Sequence, residues 1–184
     1  MRRLIRLLPG ALLLASACSS PGPFTPDGVI FWEVVTGEVS FQGCPDSPAF
    51  SAANPPLDVV GHYLVYRISP DGLSAVQQDC DRLDPGSCLT APAGLTWSIQ
   101  GTTLRTTTER RDPVGTGGCS LLQSEAWVLE VIGQQLGARI VNTLSLAGLP
   151  LACDQVESAV QAQAPNGHGL AGCQVTTQLD AVLR

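Results

Sequence analysis

The stretch Ala126–Leu146, AWVLEVIGQQLGARIVNTLSL, decides the fold. Trp127, Leu129 and Val131 recur at every second position before Gly133-Gln134. Leu136, Ala138, Ile140, Asn142 and Leu144 do the same after it. A period of two puts alternate side chains on one face of a strand, whereas a helix repeats every three or four residues. Two such runs joined by a glycine-containing turn read as an antiparallel hairpin.

The same pattern extends in both directions. Upstream, Leu95, Trp97 and Ile99 alternate with Thr96 and Ser98, and a turn at Gln100-Gly101 leads into TTLRTTTER. The threonine run favours a strand because χ1 is restricted at a branched Cβ. Val59–Ile68, VVGHYLVYRI, places His62, Leu64, Tyr66 and Ile68 on one face; SPDG then turns the chain into LSAVQQDC. Val29–Phe41, VIFWEVVTGEVSF, is dense in β-branched and aromatic residues, with Gly37 as a bulge or bend. Downstream, CQVTTQLDAVL reads as a closing strand. CPDSPAFSAANPP and RDPVGTGG read as loops, with Glu109–Asp112 as a charged hairpin tip. DQVESAVQAQA reads as a short helix with Asp154 at its N-cap. The expected fold is all-β or mainly β: an antiparallel meander closed as a barrel or folded as a sandwich, with one short helix towards the C-terminus.

Composition points to an exported chain. Charged residues are 14% of the 184, against roughly 25% in an average domain. The net charge is −6, and every basic residue is arginine. A surface of that sign repels the phosphate backbone, which argues against nucleic acid as a partner.

The N-terminus explains the export. MRRLIR carries three arginines, and Leu7 to Ala17 is uncharged and mostly apolar, too short to cross a bilayer core of about 30 Å. Small residues Ala15-Ser16-Ala17 then lead directly into Cys18 in LLASACSS. This resembles the lipobox of bacterial lipoprotein precursors, in which the cysteine is acylated and becomes the new N-terminus; Ala15 stands where leucine is commoner. The resemblance implies a signal peptide over 1–17, a lipidated Cys18 and membrane attachment through acyl chains. Ser19, being neutral where inner-membrane retention uses aspartate, implies sorting to the outer membrane. Residues 18–28, rich in Ser, Pro and Gly, read as a flexible tether, and 29–184 as one β domain.

Six further cysteines remain: Cys44, Cys80, Cys88, Cys119, Cys153 and Cys173. An even number in an oxidising compartment implies three disulfides, with 15 pairings open. Cys80 with Cys88 closes a short loop; Cys153 with Cys173 and Cys44 with Cys119 are the favoured remainder. No C-x-x-C pair occurs and the chain has two histidines, so neither a metal nor another cofactor is expected.

Candidate site residues are few. Trp32, Trp97 and Trp127 each fall on a strand and, with Tyr66 and His62, would either line a pocket for a small apolar ligand or fill the core. His168 lies in a glycine-rich loop. Asp79, Asp81 and Asp84 lack the spacing of a calcium loop, and GTGG at 115–118 lacks the lysine of a phosphate loop. No nucleophile-elbow, zinc-protease or paired-carboxylate motif is found. The strand order loosely resembles the lipocalin-like barrels of some small outer-membrane lipoproteins. The glycine-x-tryptophan signature of that family is absent, since Gly28 is four residues before Trp32, so no binding residue is carried over. The expectation is a non-enzymatic, lipid-anchored envelope module that binds an envelope protein or a small apolar ligand. The alternative is an envelope hydrolase using His62 with a nearby carboxylate.

Overall fold

The computed structural model describes residues 23–54, 58–78, 93–115 and 117–184. Eight antiparallel strands form a closed up-and-down barrel in which each strand pairs with its sequence neighbours and β8 closes on β1. They are β1 (Val29–Gln42), β2 (Tyr63–Ile68), β3 (Ser74–Gln78), β4 (Ala93–Gln100), β5 (Thr103–Val114), β6 (Cys119–Ile132), β7 (Gln135–Gly148) and β8 (Gln174–Leu183). Of the two architectures left open by the sequence, the barrel is the one adopted.

The hairpin read from Ala126–Leu146 is the best-formed part of the wall. Leu129 faces Ala138, Trp127 faces Ile140 and Glu125 faces Asn142 across β6 and β7. Directly opposed residues share a face, so the two alternating runs point together into the barrel. Gly133 supplies the left-handed conformation (φ 63°) that its tight turn requires.

The two ends of the barrel differ. At one end lie the turns β2–β3, β4–β5 and β6–β7, the start of β1 and the end of β8. Here the interior is closed by Trp32, Val34, Tyr66, Ile68, Ala75, Trp97, Leu104, Leu129, Val131 and Leu136, all buried in one cluster. At the other end β1, β5, β6 and β7, of 12 to 14 residues, rise past β2, β3 and β4, of five to eight. This taller rim is the mouth, and it carries both helices.

Several readings are corrected. Within the segment read as a tether, Phe24 is buried in the closed-end cluster. Its segment is tied to the β2–β3 turn by Asp27 N–H donating to the Ser69 carbonyl and Ile68 N–H to that of Gly28. Composition had marked this segment as free chain, but one aromatic side chain has enough apolar area to dock at the closed barrel end. CPDSPAFSAANPP is not wholly loop: Pro48–Ala53 forms a helix, α1. Ser47 caps it by accepting from Phe50 N–H at 3.3 Å, and Pro48 occupies the first turn, where its missing N–H costs nothing. The later helix, α2, runs from Pro150 to Gln163, so Asp154 lies inside it and is not its cap. The proline sets the start, and Leu149 N–H is fixed to the Gly118 carbonyl at 2.7 Å. Glu109–Asp112 is no hairpin tip, because β5 continues in register with β6 to Val114 opposite Cys119.

The disulfide pairing also differs from the favoured one. Cys44 joins Cys173, and Cys119 joins Cys153. Barrel closure is the reason: it brings the upper ends of β1 and β8 together, and α2 crosses back to the upper end of β6. Cys80 and Cys88 lie outside the described residues, as do Cys18 and Asp79, Asp81 and Asp84. β3 ends and β4 begins on the mouth side.

Candidate functional site

Of the residues singled out, Trp32, Tyr66, Trp97 and Trp127 are brought together in the core cluster, and His62 is not among them. Tyr66 meets Trp97 edge-to-face at 5.5 Å between ring centroids, and Trp97 meets Trp127 in the same way at 5.7 Å. Trp32, Tyr66 and Trp97 are at most 2% exposed. Edge-to-face contact suits the ring quadrupoles. Burial raises the Tyr66 phenol well above its ordinary pKa. His62 stands just before β2, with its backbone held by Val59 and Val34. Its ring Nδ1 is buried and finds no partner among the described residues, so no carboxylate orients it.

Above Trp127 the interior changes character. Thr108, Glu125 and Asn142 are consecutive partners across β5, β6 and β7, so alternation points all three inward at the same height. Glu125 Oε2 accepts from Trp127 Nε1–H at 3.1 Å and from the Thr108 hydroxyl at 3.4 Å. Its Oε1 accepts from Asn142 Nδ2–H at 3.3 Å. A carboxylate only accepts, so the Asn142 amide must turn its NH₂ towards it. That leaves Asn142 Oδ1 buried without a partner. The ion pairs among the described residues are Arg110–Asp112 and Arg184–Glu33, so Glu125 has no counter-cation there. Among the described residues the layer therefore holds a carboxylate without a counter-cation and one amide oxygen without a donor.

The mouth above this layer is divided by α1. Phe50 projects from it, stacks edge-to-face on Phe41 at 5.8 Å, and packs against the Cys44–Cys173 bridge and Leu144. On one side is a cleft of about 480 Å³ lined by Phe50, Arg110, Gln123, Asn142, Leu144 and Leu170. On the other is a cleft of about 710 Å³ lined by Val39, Phe41, Phe50, Asn54, Asn166 and His168. His168 is exposed, as its glycine-rich loop implied. The loop is held by Asn166, whose Nδ2–H donates to the Cys44 carbonyl at 2.9 Å, and by Glu157 of α2, which accepts from Leu170 N–H at 2.9 Å. Arg110, on the rim, is bonded to Asp112 at 2.8 Å and its side chain is 74% exposed.

No family model, curated protein or solved structure matches this chain. What the site can do therefore rests on its own geometry. Among the described residues no group of three His, Cys, Asp or Glu side chains could hold a metal ion. No helix among them is long and apolar enough to cross a membrane.

The residues that the sequence left without a role are Glu125, Phe50 and Phe24. The signal for Glu125 was present: it stands two positions before Trp127 on an inward face, as Asn142 does within an otherwise apolar one. Phe50 and Phe24 carried no comparable signal, because each sits in a segment rich in proline and small residues.

Proposed function

We propose that this is a lipid-anchored envelope lipoprotein, acylated at Cys18, whose barrel mouth binds a small amine with an apolar body. The observation that carries the binding reading is the Glu125–Asn142 pair below a cleft: among the described residues the carboxylate has no ion-pair partner and the amide oxygen has no donor. A protonated amine supplies the counter-charge that Glu125 lacks and the N–H that Asn142 Oδ1 lacks. Phe50, Leu144 and Leu170 offer apolar surface to the rest of the ligand. With 1–17 removed, seven arginines remain against 16 acidic residues, and that negative charge raises the local concentration of a cationic ligand. The packed tryptophans, which fit the core-filling alternative that the sequence left open, favour this polar mouth over an apolar pocket among them. His62, with no carboxylate bonded to its ring among the described residues, lends the hydrolase alternative no support. A third bridge, Cys80–Cys88, completes the reading of an oxidised, exported domain.

Calorimetric titration with 2-phenylethylamine and with the neutral 2-phenylethanol tests the ligand class. The amine is expected to bind saturably and the alcohol weakly. Glu125→Gln, which keeps the shape and removes the charge, is expected to weaken the amine about tenfold, or ~1.4 kcal/mol. Equal binding of the two compounds, or no change in the variant, overturns the amine reading.

A further inference from the structure

Resting on the lipoprotein reading, we infer that the barrel stands with its closed end against the bilayer and its mouth turned away. Phe24 is the pivot. It is buried among the closed-end residues, and six residue steps separate it from Cys18. A fully extended chain advances at most about 3.4 Å per residue, so those six steps reach roughly 20 Å. The 14-residue strands of β6 and β7, at about 3.3 Å per residue and a tilt near 40°, give the barrel a height on the order of 35 Å. An anchor leaving from the closed end is therefore too short to pass the wall and let the mouth face the lipid.

The surface of the closed end fits this placement better than a barrel lying on its side. Leu73, in the β2–β3 turn, is 66% exposed, and Ile132, where β6 meets its turn, is 70% exposed. Leu183, at the end of β8, is 41% exposed. Three large apolar side chains at the tips of one barrel end form an apolar fringe at the height where the acyl anchor holds the chain. The acidic and basic groups nearby are mixed: Asp27 and Asp71 on the turns, and Glu33 paired with Arg184. The fringe therefore suits the interfacial layer of a bilayer without requiring anionic headgroups.

The test uses the full precursor, processed in bacterial cells, purified and reconstituted into phosphatidylcholine vesicles containing brominated acyl chains. Leu73→Trp and Ile132→Trp report on the closed end, and Leu151→Trp, on α2 at the mouth and 79% exposed in the native chain, reports on the other. Bromine quenching is expected to be several-fold stronger at residues 73 and 132 than at 151. Lengthening the tether by ten Gly/Ser residues after Ser20 is expected to shrink that contrast. Equal quenching at the two ends, or stronger quenching at 151, overturns the orientation while leaving the anchor intact. Mass spectrometry showing Cys18 unacylated overturns the lipoprotein reading itself, and the orientation with it.

Discussion

The closed end and the mouth of this barrel are held by different means. The closed end has short turns, no disulfide among the described residues and an interior filled by aromatic and branched side chains. Among the described residues, the mouth has long strands, two helices, a polar interior layer and two disulfides. Packing stabilises in proportion to the apolar area removed from water, and a disulfide chiefly by restricting the unfolded chain. A barrel whose upper half is kept polar and open loses part of the first contribution, and the cross-links are placed where it is lost.

That contrast is most open to challenge at the Cys44–Cys173 bridge, where the largest effect is expected. It joins residues 129 apart, and the chain-entropy account of such a loop gives about 5 kcal/mol. In Cys44→Ser/Cys173→Ser, denaturant unfolding is expected to show most of that loss. Hydrogen exchange is expected to quicken in the upper halves of β1 and β8 well before the ladder around Leu129. Uniform quickening through the barrel would show that the two ends are one cooperative unit.

Trp97→Ala attacks the other half. Phe or Trp truncation in a core costs about 3–5 kcal/mol, and Trp97 is fully buried between Tyr66 and Trp127. Thermal unfolding is expected to fall sharply although both bridges remain. A small loss would mean that the cross-links alone hold the barrel.

The smallest effect belongs to the β2–β3 turn at the closed end. Asp71 accepts from the Ser69 hydroxyl and from Leu73 N–H, and these bonds lower its pKa. A carboxyl with a depressed folded pKa stabilises above its unfolded value, near 4, and that contribution is lost as pH falls through the folded one. The melting temperature of Asp71→Asn is therefore expected to lie slightly below that of the native chain at neutral pH. The gap should close on acidification, and a gap independent of pH would remove the charge from the account.

Much of this architecture was readable from alternation alone. The faces assigned to Leu136–Leu144, Trp127–Val131 and Leu64–Ile68 are the inward faces, because a two-residue period leaves a strand no other way to bury one side. The barrel rather than a sandwich was not readable, since that choice depends on whether β8 reaches β1, a contact between residues about 140 apart. The disulfide pairing depended on the same closure. α1 was hidden because six residues between prolines show no helical period. Phe24 was hidden because its neighbours are those of a linker, and only the barrel end supplies its burial. Within the site, alternation placed Asn142 on the inward face, and the register added what it faces: Glu125, directly across the hairpin.

The Cys44–Cys173 bond has one more consequence. It sits just past the end of the first strand and just before the last, so β2 to β7 lie inside a single covalent ring from which β1 and β8 emerge paired. A protease that cuts one exposed connection between those two residues opens the ring without releasing a fragment. Both pieces stay tied together and in register, and only a second cut, or a reductant, sets one free.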